Sequence, residues 1–180
     1  MKRIALIFAT FFFVYIRVGL AQPHATKEEI SPYSKTAFEE GRICFKEKNT
    51  DEAIAFFTSA IDSSNQFIEA FNYRGIAHCE AGHFYDAIDD FNAAIAAQPK
   101  YAIAYNNRGY VLLLIGGLEK AAVSDFTKAI DLSPSFAKAY YNRGIGLELL
   151  HQDHAACNDW TKASELQLAV PEDFFKTCKD

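Results

Sequence analysis

Cysteine is scarce, with four in 180 residues. That excludes a small scaffold held by disulfides and leaves helices to carry most of the stability. Basic side chains are outnumbered, 18 Lys and Arg against 23 Asp and Glu, for a net charge of −5. Three of those bases, Lys2, Arg3 and Arg17, sit in an N-terminal stretch expected to be removed, and without them the balance is 15 against 23, or −8. Binding along a nucleic-acid backbone or on anionic lipid rests on clustered Lys and Arg, so no nucleic acid is expected among the partners. Catalytic signatures are missing as well: no phosphate-cradling glycine loop, no nucleophile elbow, no H-E-x-x-H and no carboxylate pair of buried character. Gly116-Gly117 lacks the context of such a loop. The chain is expected to be no enzyme and to need no cofactor. A disordered tail is excluded in turn, because half the residues are apolar and only 23% charged.

Long hydrophobic runs are also short here. Ile4–Ile16 is uncharged and mostly apolar, but its thirteen residues fall below the ~20 that a spanning helix requires, and Arg17 stops any extension. With Lys2-Arg3 before it and the small-residue exit Gly19-Leu20-Ala21 after it, the segment has the layout of a signal peptide over 1–21, cut after Ala21. Retention as an uncleaved anchor is the alternative. The mature chain is then exported, periplasmic or secreted and associated with the cell envelope, with no stable membrane span and a linker over 22–33.

What the sequence does have is a period. Glycine recurs at Gly41, Gly75, Gly109 and Gly144, and alanine at Ala53, Ala87, Ala122 and Ala156 and again at Ala60, Ala94, Ala129 and Ala163. Aromatics keep the same step at Phe57, Phe91, Phe126 and Trp160, and another leads each unit at Tyr33, Phe67, Tyr101 and Phe136. The glycine and alanine series slip by one residue in the third unit, which places one extra residue in the Gly116-Gly117 turn. Ala53, Ile54, Phe57, Ala60 and Ile61, with their equivalents in later units, mark an amphipathic helix. The segment around each glycine is helical too. Asn49-Thr50-Asp51-Glu52 reads as a capping box, and Gln98-Pro99 and Ser133-Pro134 end helices. Each unit is helix, turn, helix, unable to bury its apolar face alone and stable only when stacked.

These aromatic, glycine, alanine and proline positions resemble the tetratricopeptide repeat family. The resemblance covers four units, 34–67, 68–101, 102–136 and 137–169, with a capping segment over 170–180. Ala37, Asn65 and Leu168 depart from the pattern in the terminal units, which cap the stack. The resemblance implies an all-α, right-handed solenoid of an exported bacterial type, whose concave groove binds a peptide or helix of another protein. Its groove positions fall here on Lys35, Phe38, Arg42 and Phe45; Glu69, Asn72, Ile76 and Cys79; Ile103, Asn106, Tyr110 and Leu113; and Lys138, Tyr141, Ile145 and Glu148. Asn72 and Asn106 are expected to bond the backbone of an extended peptide, with Phe38, Tyr110 and Tyr141 supplying contact area. A carboxylate clamp is not expected, because Phe38 and Arg42 stand where it would begin. The second reading is a structural accessory subunit of an envelope complex, docked through its convex face or its ends.

Three further readings concern charge and thiols. Arg74, Arg108 and Arg143 precede their units' glycines, while Asp90, Asp125 and Asp159 precede the second-helix aromatics; the first unit has Glu40 and Phe56 instead. Joint presence and joint absence predict a structural Arg–Asp pair inside each of units two to four. Cys157 occupies the inward stripe of the last unit and Cys178 lies in an apolar segment opened by Pro171, so an exported chain is expected to join them, two separate thiols being the alternative. Cys44 and Cys79 are expected to stay free, because neighbouring helices lie farther apart than a disulfide reaches. His151, Asp153, His154 and Cys157 form a metal-like group, but no metal is predicted there. His78 and His83 read as ordinary helix and turn residues.

Overall fold

The computed structural model describes residues 30–64 and 67–178. The expected leader over 1–21, residues 22–29 of the linker and Asn65 lie outside them. Among the described residues eight α-helices follow one another: α1 Pro32–Lys46, α2 Thr50–Ser63, α3 Ile68–Glu80, α4 Phe84–Ala97, α5 Ala102–Ile115, α6 Glu119–Leu132, α7 Ala137–Leu149 and α8 Asp153–Glu165. A 3-10 helix, Glu172–Cys178, ends the described chain. The protein is an all-α repeat solenoid. The first described helix begins within the stretch expected to be linker, where Pro32 sits in the first turn and the Ser31 hydroxyl accepts the Ser34 amide at 3.0 Å.

Consecutive helices pair within each unit, and each second helix packs on the first helix of the next. The first helices α1, α3, α5 and α7 also touch one another in sequence, whereas among the described residues no two second helices do. The stack therefore curves with the first helices on its inner side.

Small residues facing large ones set the spacing inside each pair. Phe57, Phe91, Phe126 and Trp160 are at most 1% exposed, and the partner alanines of the second helices are fully buried. A Cβ placed on Gly75 or Gly109 would lie 2.8 Å from Cε1 of Phe91 or Phe126, closer than side-chain atoms approach, so the ring occupies the volume that glycine leaves.

Single residues of positive φ, Lys48, Gly82 and His151, turn the chain in units one, two and four. Unit three uses two, Gly116 and Gly117, at φ 80° and 72°; the extra residue sits there, and a second left-handed position favours glycine. The capping box does not form. Asn49 makes no side-chain cap bond, and its carbonyl instead accepts the Ala53 amide at 3.0 Å, with Asp51 and Glu52 placed near the positive end of the helix dipole.

At the C-terminus the cap is 3-10 rather than α. Cys178 is bonded to Cys157, with the two Cα atoms 5.6 Å apart. Phe174 stands edge-on to Trp160 with ring centres 4.8 Å apart, so the segment covers the last apolar face. No helix among the described residues is long and apolar enough to cross a membrane.

Candidate functional site: the concave face

The inner face is built from one stripe of each first helix, and the structure divides the expected groove residues into two groups. The first group has been consumed by packing. Phe38 is 8% exposed, with ring centres 4.7 Å from Phe67, 5.3 Å from Tyr73 and 5.7 Å from Phe57. Arg42 bonds Glu39 and lies over the Phe38 and Tyr73 rings at 5.9 and 5.8 Å. Phe45 packs on the same cluster. Tyr141 faces Phe174 of the cap at 5.5 Å.

Asn72 and Asn106 require a correction. Their exposures are 2% and 1%, and their amide oxygens accept bonds from Asn107 Nδ2 at 3.0 Å and Asn142 Nδ2 at 2.9 Å. Neither amide is turned out to a peptide. The reason is geometric: residues at this point on one first helix face the residue one position later on the next, and the short amides span the gap. Phe38 and Tyr73 make the same junction with rings between units one and two. Asn107 and Asn142 escaped the sequence reading, although their separation of one repeat is visible there.

The second group remains available. Ile103 and Tyr110 are 43% and 44% exposed, Leu113, Ile76, Cys79 and Ile145 are half-buried, and Leu114, which the sequence reading missed beside Leu113, is 45% exposed. Ile76, Cys79, Tyr110, Val111 and Leu114 line a depression of about 370 Å³ between α3, α5 and α7, with Phe91 also in its wall and Glu80, Asn107 and Lys138 as its polar members. Burial pushes the Cys44 and Cys79 thiols up from their usual range, which keeps both protonated and slow to react. They are free.

Behind this face, the three arginines tie the stack together. Arg108 donates from Nε and Nη2 to Asp125 at 2.8 and 2.6 Å, and from Nη1 to Asn92 on the preceding second helix at 2.7 Å. Arg74 and Arg143 repeat the pattern with Asp90 and Asp159 and reach back to Thr58 and Thr127. Their guanidinium groups lie 5.6–5.8 Å from the ring centres of Phe71, Tyr105 and Tyr140. The carboxylate bonds hold Arg108 and Arg143 above the usual guanidinium range. Each arginine thus joins two units, and unit one, with no described second helix before it, has neither partner. Thr58, Asn92 and Thr127 were missed in the sequence although they too keep the repeat spacing.

The metal-like group of the fourth turn loses its thiolate, because Cys157 is spent in the disulfide.

Residues 35–67 and 74–137 match family profiles for the tetratricopeptide repeat. The chain belongs to the tetratricopeptide repeat family. Proteins of this family mediate protein–protein interaction. A stretch of 86 residues is 30% identical to heat shock protein STI1 of Saccharomyces cerevisiae, covering 46% of this chain but only 14% of that protein's length. Among solved structures, MamA from Desulfovibrio magneticus RS-1 superposes with a TM-score of 0.68 at 22% identity, covering 77% of each chain. The first tetratricopeptide domain of Spaghetti (RPAP3), solved with the HSP90 peptide SRMEEVD, gives 0.64 at 24% identity over 66% of this chain and 94% of that one. At these identities the structures speak for the fold alone.

Proposed function

We propose that the chain is an exported, non-catalytic scaffold that binds a peptide segment or helix of a partner protein along the inner faces of α3, α5 and α7. The observation that carries this reading is the depression holding Ile76, Tyr110 and Leu114, three apolar side chains in reach of solvent on the concave side of a packed stack. Clustered aromatic and apolar side chains with a few polar neighbours make the centre of a protein interface. The Spaghetti domain is bound to a peptide on the same fold. Phe38, Asn72 and Asn106 are buried and Arg42 is paired with Glu39, so recognition falls to apolar contacts. The partner segment accordingly presents apolar side chains toward α5, with Lys138 and Glu80 at hand for its polar groups.

Tyr110→Ala is expected to weaken partner binding at least tenfold, the loss of an interface anchor worth about 1.4 kcal/mol or more, with a much smaller fall in melting temperature than loss of a core ring gives, because nearly half of the side chain is already exposed. Titration of the captured partner against both proteins by calorimetry checks it. Unaltered affinity moves the site to the convex face or the ends, where a structural accessory subunit would dock.

Export rests on the charge and hydropathy layout of residues 1–21. One intact-mass measurement on protein purified from the native host, unfolded without reductant and treated with iodoacetamide, reads two consequences together. The expected mass is that of a chain beginning at Gln22 and carrying two adducts, on Cys44 and Cys79. A start at Met1 removes the cleavage, and four adducts remove the disulfide.

A further inference from the structure

We propose that His78, His83 and Asp86 bind a divalent transition-metal ion at the turn between α3 and α4. One donor atom from each lies within 4.8 Å of the others. An ion about 2.0–2.2 Å from each donor holds them no more than about 4 Å apart, so only a small rotation of the exposed His83 and Asp86 side chains is required.

The second observation is the state of His78. At the equivalent point the other units place Cys44, Leu112 and Leu147, so an imidazole is the exception. Its Nδ1 is buried and has no hydrogen-bond partner, while its Nε2 faces Oδ2 of Asp90 at 4.0 Å. At that distance the carboxylate attracts the ring without a hydrogen bond, and Nδ1 is left as a buried nitrogen lacking the partner that a metal ion would supply.

The backbone fixes the pair. The His83 amide donates to the His78 carbonyl at 2.8 Å, across a turn completed by Gly82 at φ 79°. The same bond links Asn49 to Cys44 in unit one and Gln152 to Leu147 in unit four, so among the described turns this one alone holds two imidazoles in that register. Two nitrogens and one carboxylate oxygen suit zinc or cobalt rather than calcium or magnesium. Three protein ligands leave a position open to water or to a partner's side chain.

The test uses the tag-free protein titrated with Co²⁺ and followed by visible absorption, then challenged with Zn²⁺. The expected result is one Co²⁺ per chain, displaced by Zn²⁺, with His83→Ala and Asp86→Asn each weakening the affinity at least tenfold and His154→Ala leaving it unchanged. Both sensitive positions are exposed, so the metal-free melting temperatures are expected to match and confirm that the variants fold. Absence of a saturable Co²⁺ signal, or undiminished affinity in either variant, overturns the proposal.

Discussion

Phe126→Ala is expected to destabilise the protein by about 3–5 kcal/mol. The ring is fully buried in the third unit and fills the space that Gly109 leaves open on α5. Removing it strips a core aromatic of its burial and leaves a cavity, and the rigid pairing of α5 with α6 limits how far the walls can close. Position in the array adds to the effect. Unit three is flanked on both sides, and in a linear stack each unit is held largely by its two neighbours, so loss here weakens two junctions rather than one. Urea unfolding followed by far-UV circular dichroism measures it, with Phe56→Ala as the control. Phe56 is an aromatic of α2 that is 36% exposed, and its removal is expected to cost well under half as much. Equal effects from the two would mean that the glycine–aromatic contact does not set the helix spacing.

Asp125→Ala is expected to cost about 3 kcal/mol, at the lower end of the range for breaking a buried pair. The carboxylate is buried and accepts two bonds from Arg108, whose side chain keeps a quarter of its surface in water. That residual hydration is what keeps the expected value from the upper end. With Asp125 gone, Arg108 retains Asn92 as an acceptor and the Tyr105 ring beneath it, but loses the carboxylate it pairs with on α6. Arg108→Ala alone leaves a buried carboxylate and is expected to cost a similar amount. The double variant is expected to be less destabilised than the sum by 1 kcal/mol or more, since neither charge is then stranded. Additive effects in denaturant unfolding would show that the arginine struts do not couple the units.

The sequence is most legible where periodicity and size act together. The helix phase and the glycine facing each large ring follow from which positions must be small or large and are repeated four times, and the extra residue at Gly116-Gly117 shows as the one slip in that register. The Arg–Asp positions are legible for a related reason, because their joint absence in unit one marks them as a pair. The groove is read less well. The resemblance supplies positions on the inner face but not what the neighbouring helix places against them. Asn72 and Asn106 look free until Asn107 and Asn142, one position later in the next unit, are set beside them. Tyr141 looks exposed until the cap brings Phe174 over it. His78 and His83 are obscured for another reason: five residues apart, they share no helix face, and only the turn brings them and Asp86 together. Asn49 fails as a cap because its carbonyl, rather than its side chain, closes the first turn.

The central claim is that the concave surface around α5 is where the partner lies. Site-specific photo-crosslinking in the native host tests it most directly, with the probe at Tyr110 or Leu114 on that surface and at exposed Lys128 on α6 as the control. The account predicts a discrete adduct with another protein from the two groove positions and none from Lys128. Adducts from Lys128 alone, or only between copies of this chain, would contradict it.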